Sequence, residues 1–197
     1  MPGQIPDLSR AALLSMDLQN AIVSRYMTGN EDFLPRVAGV LKAARDRRIL
    51  TIHVQVGFRP GLPEISSRNQ LFGAIKNSTE WQQIFQGEPG AIHPAVAPQP
   101  GEIVVTKHRI SAFTGTDLDM ILHANNIETL VLFGIATSGV VLSTLLHACD
   151  ADYRVIVVRD CCIDQDAEVH AALVGKIFTR LATVLDAGEL TDAFRAR

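Results

Sequence analysis

One stretch of the sequence decides the fold: Thr129-Leu130-Val131-Leu132-Phe133, followed at once by Gly134-Ile135-Ala136-Thr137-Ser138-Gly139-Val140-Val141. The first five residues form a continuous apolar run, which is typical of a strand buried on both faces of a parallel sheet. The glycine and small polar residues that follow indicate a turn, and residues 138–150 continue with the character of a helix. The stretch therefore predicts a strand that passes directly into a helix, the repeating unit of α/β proteins.

The same alternation extends along the chain in both directions. Apolar or β-branched runs predict strands at 11–16, 49–56, 103–105, 129–133, 154–158 and 182–185. Helical spacing of apolar residues predicts helices at 33–48, 117–125, 138–150 and 166–181. Between them we expect a long loop at 57–70, short helices within 71–86 and an irregular crossing at 87–101. Such alternation favours βαβ crossovers, hence a parallel sheet that is covered by helices on both faces.

Composition narrows the possible classes of protein. The chain has 197 residues, of which 47% are hydrophobic, so we expect a single domain over residues 1–197. A net charge of −3 and the absence of a basic stripe argue against nucleic-acid and membrane partners. Three cysteines, Cys149, Cys161 and Cys162, are too few for a disulfide framework, and neighbours in a strand point to opposite faces. We therefore expect a cytoplasmic protein with reduced cysteines.

Polar side chains stand where the predicted strands end. Asp17 follows the first strand, Gln55 lies near the end of the second, Lys107 follows the third, and Gly134 ends the fourth. Ligands of open parallel sheets collect outside the carboxyl ends of the strands, so we expect these residues to form one site. A carboxylate beside an ammonium can shuttle a proton at neutral pH. The alternative is that Asp17 only caps a turn and Lys107 is a surface charge.

Three motifs together resemble the isochorismatase-like (cysteine hydrolase) superfamily over residues 13–185. They are Asp17-Leu18-Gln19-Asn20, Lys107-x-Arg109-x-Ser111-Ala112-Phe113-x-Gly115-Thr116 and Gly134-x-Ala136-Thr137-Ser138-Gly139. The resemblance implies a hydrolase with a three-layer, doubly wound α/β fold. We therefore predict a six-stranded parallel sheet in the order 3-2-1-4-5-6.

The resemblance also exposes a missing residue. The superfamily usually carries a nucleophilic cysteine at the position of Val140, and an isopropyl group cannot attack a substrate. It further implies a cis peptide at Ile135–Ala136, with the amides of Ala136 and Val140 directed at an oxyanion position. Hydrolysis through a thioester, as in the amidase members, is therefore not expected.

True isochorismatases also lack the cysteine and hydrolyse a vinyl ether, using an aspartate as acid with a lysine and a glutamine nearby. Asp17, Lys107 and Gln55 resemble that trio, although Val140 adds bulk where the family has glycine. We predict a hydrolase of a small, carboxylate-bearing metabolite that uses Asp17 and Lys107 without a thiol, with Gln55 as a positioning group. Two alternatives stay open: a degenerate scaffold that binds a small metabolite, and an amidase inactivated by a cysteine-to-valine change.

Further side chains are candidates for substrate binding. The loop at 58–69 carries Phe58, Arg59 and Arg68, and an arginine can hold a carboxylate with two hydrogen bonds. The alternative is a solvated loop whose arginines pair with Glu64. Three more candidates have a structural alternative as hydrogen-bonded or core residues: His53, Trp81 and Phe113.

We expect neither a metal nor another cofactor, because His53 stands alone where nicotinamidases have a metal cluster. By the same resemblance we expect a homodimer or homotetramer that acts on a small molecule.

Overall fold

The computed structural model describes residues 5–27 and 29–196. One sheet contains six parallel strands: β1 (Ala11–Met16), β2 (Leu50–Val56), β3 (Ile103–Lys107), β4 (Thr129–Ile135), β5 (Arg154–Ile163) and β6 (Thr183–Leu185). Their spatial order is β3-β2-β1-β4-β5-β6, so the predicted order 3-2-1-4-5-6 is confirmed. The two strands at the centre, β1 and β4, are buried at every residue, as their uninterrupted apolar sequences require.

The helices connect the strands and cover the sheet. They are α1 (Asn20–Tyr26), α2 (Phe33–Asp46), α3 (Gln70–Lys76), α4 (Thr79–Gln83), α5 (Gly87–Gly90), α6 (Leu118–Ala124), α7 (Leu142–Asp150), α8 (Ala167–Ala172), α9 (Thr179–Leu181) and α10 (Ala187–Arg195). A short 3-10 turn spans Pro94–Val96, and π-helical turns span Thr137–Val141 and Leu173–Phe178. In the part of the chain that the structure describes, no helix is long and apolar enough to cross a membrane.

Helices α1, α5 and α10 were not expected from the sequence. Helix α1 begins directly after the β1 turn and buries only Val23, so it carries no apolar stripe. Helix α10 is stabilised at its start by a capping box, in which Asp186 and Glu189 each accept a hydrogen bond from the other's backbone amide. The crossing at 87–101, expected to be irregular, contains α5 and the 3-10 turn.

The hydrophobic residues form a main core and a small satellite. The main core lies between the sheet and its helices, and α2 and α10 pack on each other and on β5. The satellite, formed by Leu62, Ile65, Phe72 and Ile75, joins the 57–70 loop to α3. It is a separate cluster of apolar side chains close to the carboxyl ends of the strands, and two of its members, Phe72 and Ile75, line a cavity there.

Candidate active site

A buried ion pair lies at the carboxyl ends of β1 and β3. Nζ of Lys107 is 2.8 Å from Oδ2 of Asp17, and the two side chains are only 4% and 8% exposed. The same Nζ donates a hydrogen bond of 3.0 Å to the carbonyl of Arg109, which holds the ammonium in place. The structure therefore brings together the two ionisable residues that the strand ends predict, although they are 90 positions apart in sequence.

The carboxyl group of Asp17 is poised between two opposing effects. Burial raises the pKa of Asp17 above its ordinary value, while the charge and hydrogen bond of Lys107 act in the opposite direction. Oδ1 is buried and has no hydrogen-bond partner among the described residues. Asp17 also has a positive φ of 57°, which is uncommon outside glycine but tolerated by aspartate. Its amide still donates to the carbonyl of Val54, so the carboxyl is presented by a backbone that continues the sheet.

Two residues fix the backbone around this pair. Gly134 has φ 145°, and a Cβ placed there would lie 2.1 Å from the carbonyl oxygen of Met16, so only glycine fits between β1 and β4. Gln19 is buried, and its side-chain amide bonds to both the N–H and the C=O of Val56 and to the carbonyl of Gly90. The end of β2 and the start of α1 are thereby held at a fixed distance from Asp17.

The turn from β4 into α7 forms the next part of the site. The Ile135–Ala136 peptide bond is cis. In the π-helical turn Thr137–Val141, the amides of Gly139 and Val141 both donate to the carbonyl of Ala136. The amide of Ser138 donates to Oδ2 of Asp164 at 2.7 Å. These bonds hold the turn in a single conformation against the sheet end.

A cavity of about 460 Å³ opens between the strand ends and the short helices α1, α3 and α4. Most of its wall is apolar or aromatic. The lining residues are Asp17, Ile22, Tyr26, Val56, Leu71, Phe72, Ala74, Ile75, Trp81, Phe85, Lys107, Ile110, Ile135, Ala136, Ser138, Gly139 and Val140. A small molecule that enters this cavity therefore meets the ion pair at one end and apolar surface over most of the rest.

Some of the predicted site residues line this cavity. They are Asp17, Lys107, Ile135, Ala136, Val140 and Trp81. Val140 is buried, with 3% of its surface exposed, while Trp81 at 39% lies at the mouth. Asp17, Lys107 and Val140 therefore line the same cavity.

Two β2 residues face away from the cavity, which corrects our expectation of their contacts. The side chain of Gln55 donates to Oγ1 of Thr106 on the neighbouring strand. His53 is fully buried, and its Nε2 is 3.0 Å from Oε2 of Glu102, which also binds Arg45 of α2. Burial lowers the pKa of His53, although Glu102 opposes that effect. Because side chains alternate along a strand, the residue that reaches the cavity is Val56.

The 57–70 loop does not bring its arginines to the cavity either. Arg59 lies 3.7 Å from Glu64 and also donates its amide to that carboxylate, as the solvated alternative foresaw. Arg68 is exposed, and its amide donates to Oγ of Ser66. Phe58 packs edge-on against Phe72 and Phe85 in and beside the satellite cluster.

Phe113 is a core residue. Its ring stacks on the ring of His147, with centroids 4.4 Å apart. The aromatic lining that the sequence did not reveal comes instead from Tyr26, Phe72 and Phe85. Tyr26 follows a stretch with no apolar period, while the apolar spacing of α3 predicts a helix but not the surface it covers.

Within residues 5–27 and 29–196, no three or more His, Cys, Asp or Glu side chains are grouped so that they could hold a metal ion.

Comparison with known proteins agrees with this architecture. An isochorismatase domain model matches residues 11–189. Maleamate amidohydrolase of Pseudomonas putida is 30% identical over 181 residues, which cover 89% of this chain and 83% of the relative. Ureidoacrylate amidohydrolase of Variovorax paradoxus is 31% identical over 172 residues, covering 77% and 68%.

Among solved structures, an isochorismatase family protein from Burkholderia thailandensis superimposes with a TM-score of 0.85 at 32% identity. The match covers 98% of this chain and all of that one. The motifs, the strand order and these matches agree, and the chain belongs to the isochorismatase family of hydrolases.

Proposed function

We propose that this protein hydrolyses a small metabolite by acid–base chemistry of Asp17 and Lys107, without a cysteine nucleophile. The observation that carries the proposal is the buried 2.8 Å ion pair on the wall of the cavity. One oxygen of its carboxylate accepts no hydrogen bond from any residue that the structure describes. Structural ion pairs are common, but one that ends in an apolar cavity with a perturbed carboxyl is typical of catalytic sites.

The chemistry follows from the state of this pair. The ammonium of Lys107 keeps Asp17 ionised, and burial makes that carboxylate a stronger base than an exposed aspartate. Asp17 takes a proton from a water molecule while the water oxygen attacks the substrate. Asp17 then gives this proton to the leaving atom as the scissile bond breaks. The amides of Ala136 and Val140 are our candidates for stabilising the developing oxyanion.

A thiol route has no support in the cavity, because the residue that stands at the nucleophile position of the amidase members is Val140. Cys149 contacts the carbonyl of Leu181 on α9, and Cys162 contacts the carbonyl of Val158 within β5. Burial raises the pKa of Cys162 to about 12 and raises that of Cys161 as well, so neither thiol is reactive at neutral pH.

The structure and the relatives alter two further parts of the sequence-based hypothesis, the substrate carboxylate and the reacting group. The arginines expected to hold a carboxylate lie outside the cavity, so a carboxylate on the substrate is not part of the proposal. The two relatives are named for hydrolysis of a carbon–nitrogen bond in maleamate and in ureidoacrylate, which supports an amide or ureide as the reacting group.

Val140 also favours a second candidate function. If the missing thiol marks the loss of all chemistry, the protein is a scaffold that binds a small metabolite, or an amidase inactivated by a cysteine-to-valine change. The intact Asp17–Lys107 pair favours the enzyme, because a buried carboxyl with a raised pKa beside an ammonium in a cavity is typical of acid–base catalysis.

The decisive experiment is a turnover screen of amides, ureides and vinyl ethers with the wild type, Asp17→Asn and Asp192→Asn. Asp17→Asn removes the titrating carboxyl but keeps the shape, and we expect it to abolish activity. Asp192 lies on the exposed face of α10 in a surface pair with Arg195, so its asparagine variant should keep full activity. If no compound shows Asp17-dependent turnover, the binding scaffold is the better hypothesis.

A thiol reagent completes the test. Iodoacetamide should leave the activity of the wild type intact, whereas Val140→Cys should gain weak, iodoacetamide-sensitive amidase activity. Loss of wild-type activity on alkylation would contradict a mechanism without a thiol.

We also propose that the protein works in the cytoplasm as a homodimer or homotetramer. The three free cysteines support a reducing compartment. Light scattering at micromolar concentration should show more than one subunit, and a monomer would reject that part of the proposal.

A further inference from the structure

The charges around the cavity cancel. Among its described lining residues only Asp17 and Lys107 carry charge, and they pair with each other at 2.8 Å. A second anion placed in this space would therefore meet one carboxylate and an ammonium that is already neutralised. Moving a carboxylate from water to such a site without a cation of its own is strongly unfavourable.

The nearby guanidinium groups bind elsewhere. Arg109 donates to the carbonyls of His108 and Glu64, at 2.6 and 2.9 Å. Arg25 lies over the ring of Trp81, 4.2 Å from its centroid, and 3.8 Å from a carboxylate oxygen of Glu80. Neither arginine lines the cavity. The guanidinium of Arg25 thus packs on a ring of the cavity wall and is not itself a lining group.

That wall offers flat apolar surface. Tyr26, Phe72, Trp81 and Phe85 supply four aromatic rings. The rings of Phe72 and Phe85 are held by edge-on contacts with Phe58, whose centroid is 5.9 and 5.4 Å away. These two phenylalanine rings can stack on another flat ring and carry no hydrogen-bond donor, and the single donors of Tyr26 and Trp81 carry no charge to balance an anion.

We propose that the substrate class is a neutral molecule whose non-reacting part is a flat apolar or aromatic group, bound among Tyr26, Phe72 and Trp81 with its reacting amide-like group at Asp17. The proposal rests on the hydrolase function proposed above and narrows it. It separates this protein from the two amidohydrolase relatives, because maleamate and ureidoacrylate are both carboxylate anions.

The chain carries its own binding reporter. Trp81 is the single tryptophan of the sequence and lies at the cavity, so its fluorescence reports occupancy without any turnover. Three probes separate ring from charge: benzamide, benzoate of nearly the same shape, and acetamide without the ring. We expect benzamide to bind at least about tenfold more tightly than either of the others. Calorimetry gives the same dissociation constants by an independent signal.

A pair of variants tests the charge argument from the opposite direction. Leu71 lines the cavity and is 57% exposed, so a long polar side chain fits there without disturbing the core. Leu71→Arg should strengthen benzoate binding at least about tenfold, because it supplies the missing cation. Leu71→Gln, similar in length but uncharged, should leave the preference for benzamide unchanged.

The inference is overturned if benzoate or maleamate binds the wild type as tightly as benzamide, or if none of the probes binds. It is also overturned if Leu71→Gln raises benzoate affinity as much as Leu71→Arg does. These results are distinct from failure of the proposed function. Asp17-dependent turnover of an anion would reject the substrate class and keep the hydrolase, whereas binding of benzamide without turnover of any compound would do the reverse.

Discussion

Replacing Glu102 with glutamine should lower the free energy of unfolding by about 2 kcal/mol at neutral pH, and this loss should disappear in acid. Glu102 accepts two hydrogen bonds from Arg45 of α2, at 2.7 and 2.8 Å, and one from the amide of Gln99. Its Oε2 also lies 3.0 Å from the buried His53. The carboxylate therefore links the sheet, α2 and the segment that leads into β3.

The magnitude follows from the titration of this carboxyl. Burial alone would raise the pKa of Glu102, but hydrogen bonds from Arg45, Gln99 and His53 outweigh that effect and lower it from 4.5 to about 2. At about 1.4 kcal/mol for each pH unit, the difference corresponds to roughly 3 kcal/mol. We reduce this to about 2 kcal/mol for screening, because part of the carboxylate and of Arg45 meets solvent.

The sign of the pH dependence is fixed by the direction of the shift. A carboxyl whose pKa is lowered on folding stabilises the protein above its unfolded value of 4.5, and this contribution is lost as the pH falls toward about 2. The wild type should therefore lose stability through that window, and Glu102→Gln should not lose this part. Burial lowers the pKa of His53 below its ordinary value, and its hydrogen bond with Glu102 opposes that effect.

Urea unfolding followed by circular dichroism, repeated from neutral pH down to acid, measures this difference. Glu128→Gln is the matched control, since Glu128 also pairs with two arginines but lies at the surface, and we expect no measurable change. A gap between wild type and Glu102→Gln that stays constant with pH would refute the argument. The argument would also be refuted if Glu128→Gln lost as much stability as Glu102→Gln with the same dependence on pH.

Three other predictions concern the site and its frame. As a general base Asp17 must be ionised, so kcat/KM should fall as the pH drops through the pKa of Asp17. The inflection should lie above 3.8, the ordinary pKa of an aspartate, and a profile that is flat in acid would exclude this role. Lys107→Met leaves a buried carboxylate unpaired and should cost about 3–5 kcal/mol in urea unfolding, whereas adding Asp17→Asn should restore part of the loss. If the two losses simply add, the residues are not coupled. Gly134→Ala should lower the stability of the protein by about 3 kcal/mol or prevent folding, because residue 134 has a positive φ and a Cβ there would meet the carbonyl of Met16. Gly188→Ala is the control: a Cβ at residue 188 has open space, so thermal unfolding should show no change or a slight stabilisation.

The six strands could be located from the sequence because their signal is local, although β3 and β5 run past their predicted ends at 105 and 158 to Lys107 and Ile163. Buried parallel strands require unbroken apolar runs, and a polar residue that follows such a run lies at the carboxyl end of its strand. This reasoning predicted that Asp17 and Lys107 would meet, whereas the strand order was predicted from the family resemblance. The turn at 134–141 was readable for the same reason, since glycine and small polar residues follow a strand without a linker.

The far wall of the cavity was not predictable in this way. Helices α3 and α4 are short, and their apolar residues show that they pack but not on what. Arg59 and Arg68 were assigned to the cavity because they stand in a loop near the site, yet the carboxylate of Glu64 lies within the same loop and pairs with Arg59. The direction of Gln55 depends on the parity of β2, which is ambiguous when both faces of a sheet are buried.

Gly134 and Val140 are constrained in different ways, and this difference matters for redesign of the site. At Gly134 the constraint is the backbone, because any Cβ meets the carbonyl of Met16. At Val140 the backbone is already fixed by the neighbouring bonds to Ala136, and the side chain only fills space beside the ion pair. Residue 140 is therefore a position where different side chains, including reactive ones, can be introduced beside the ion pair while the backbone of the turn is kept.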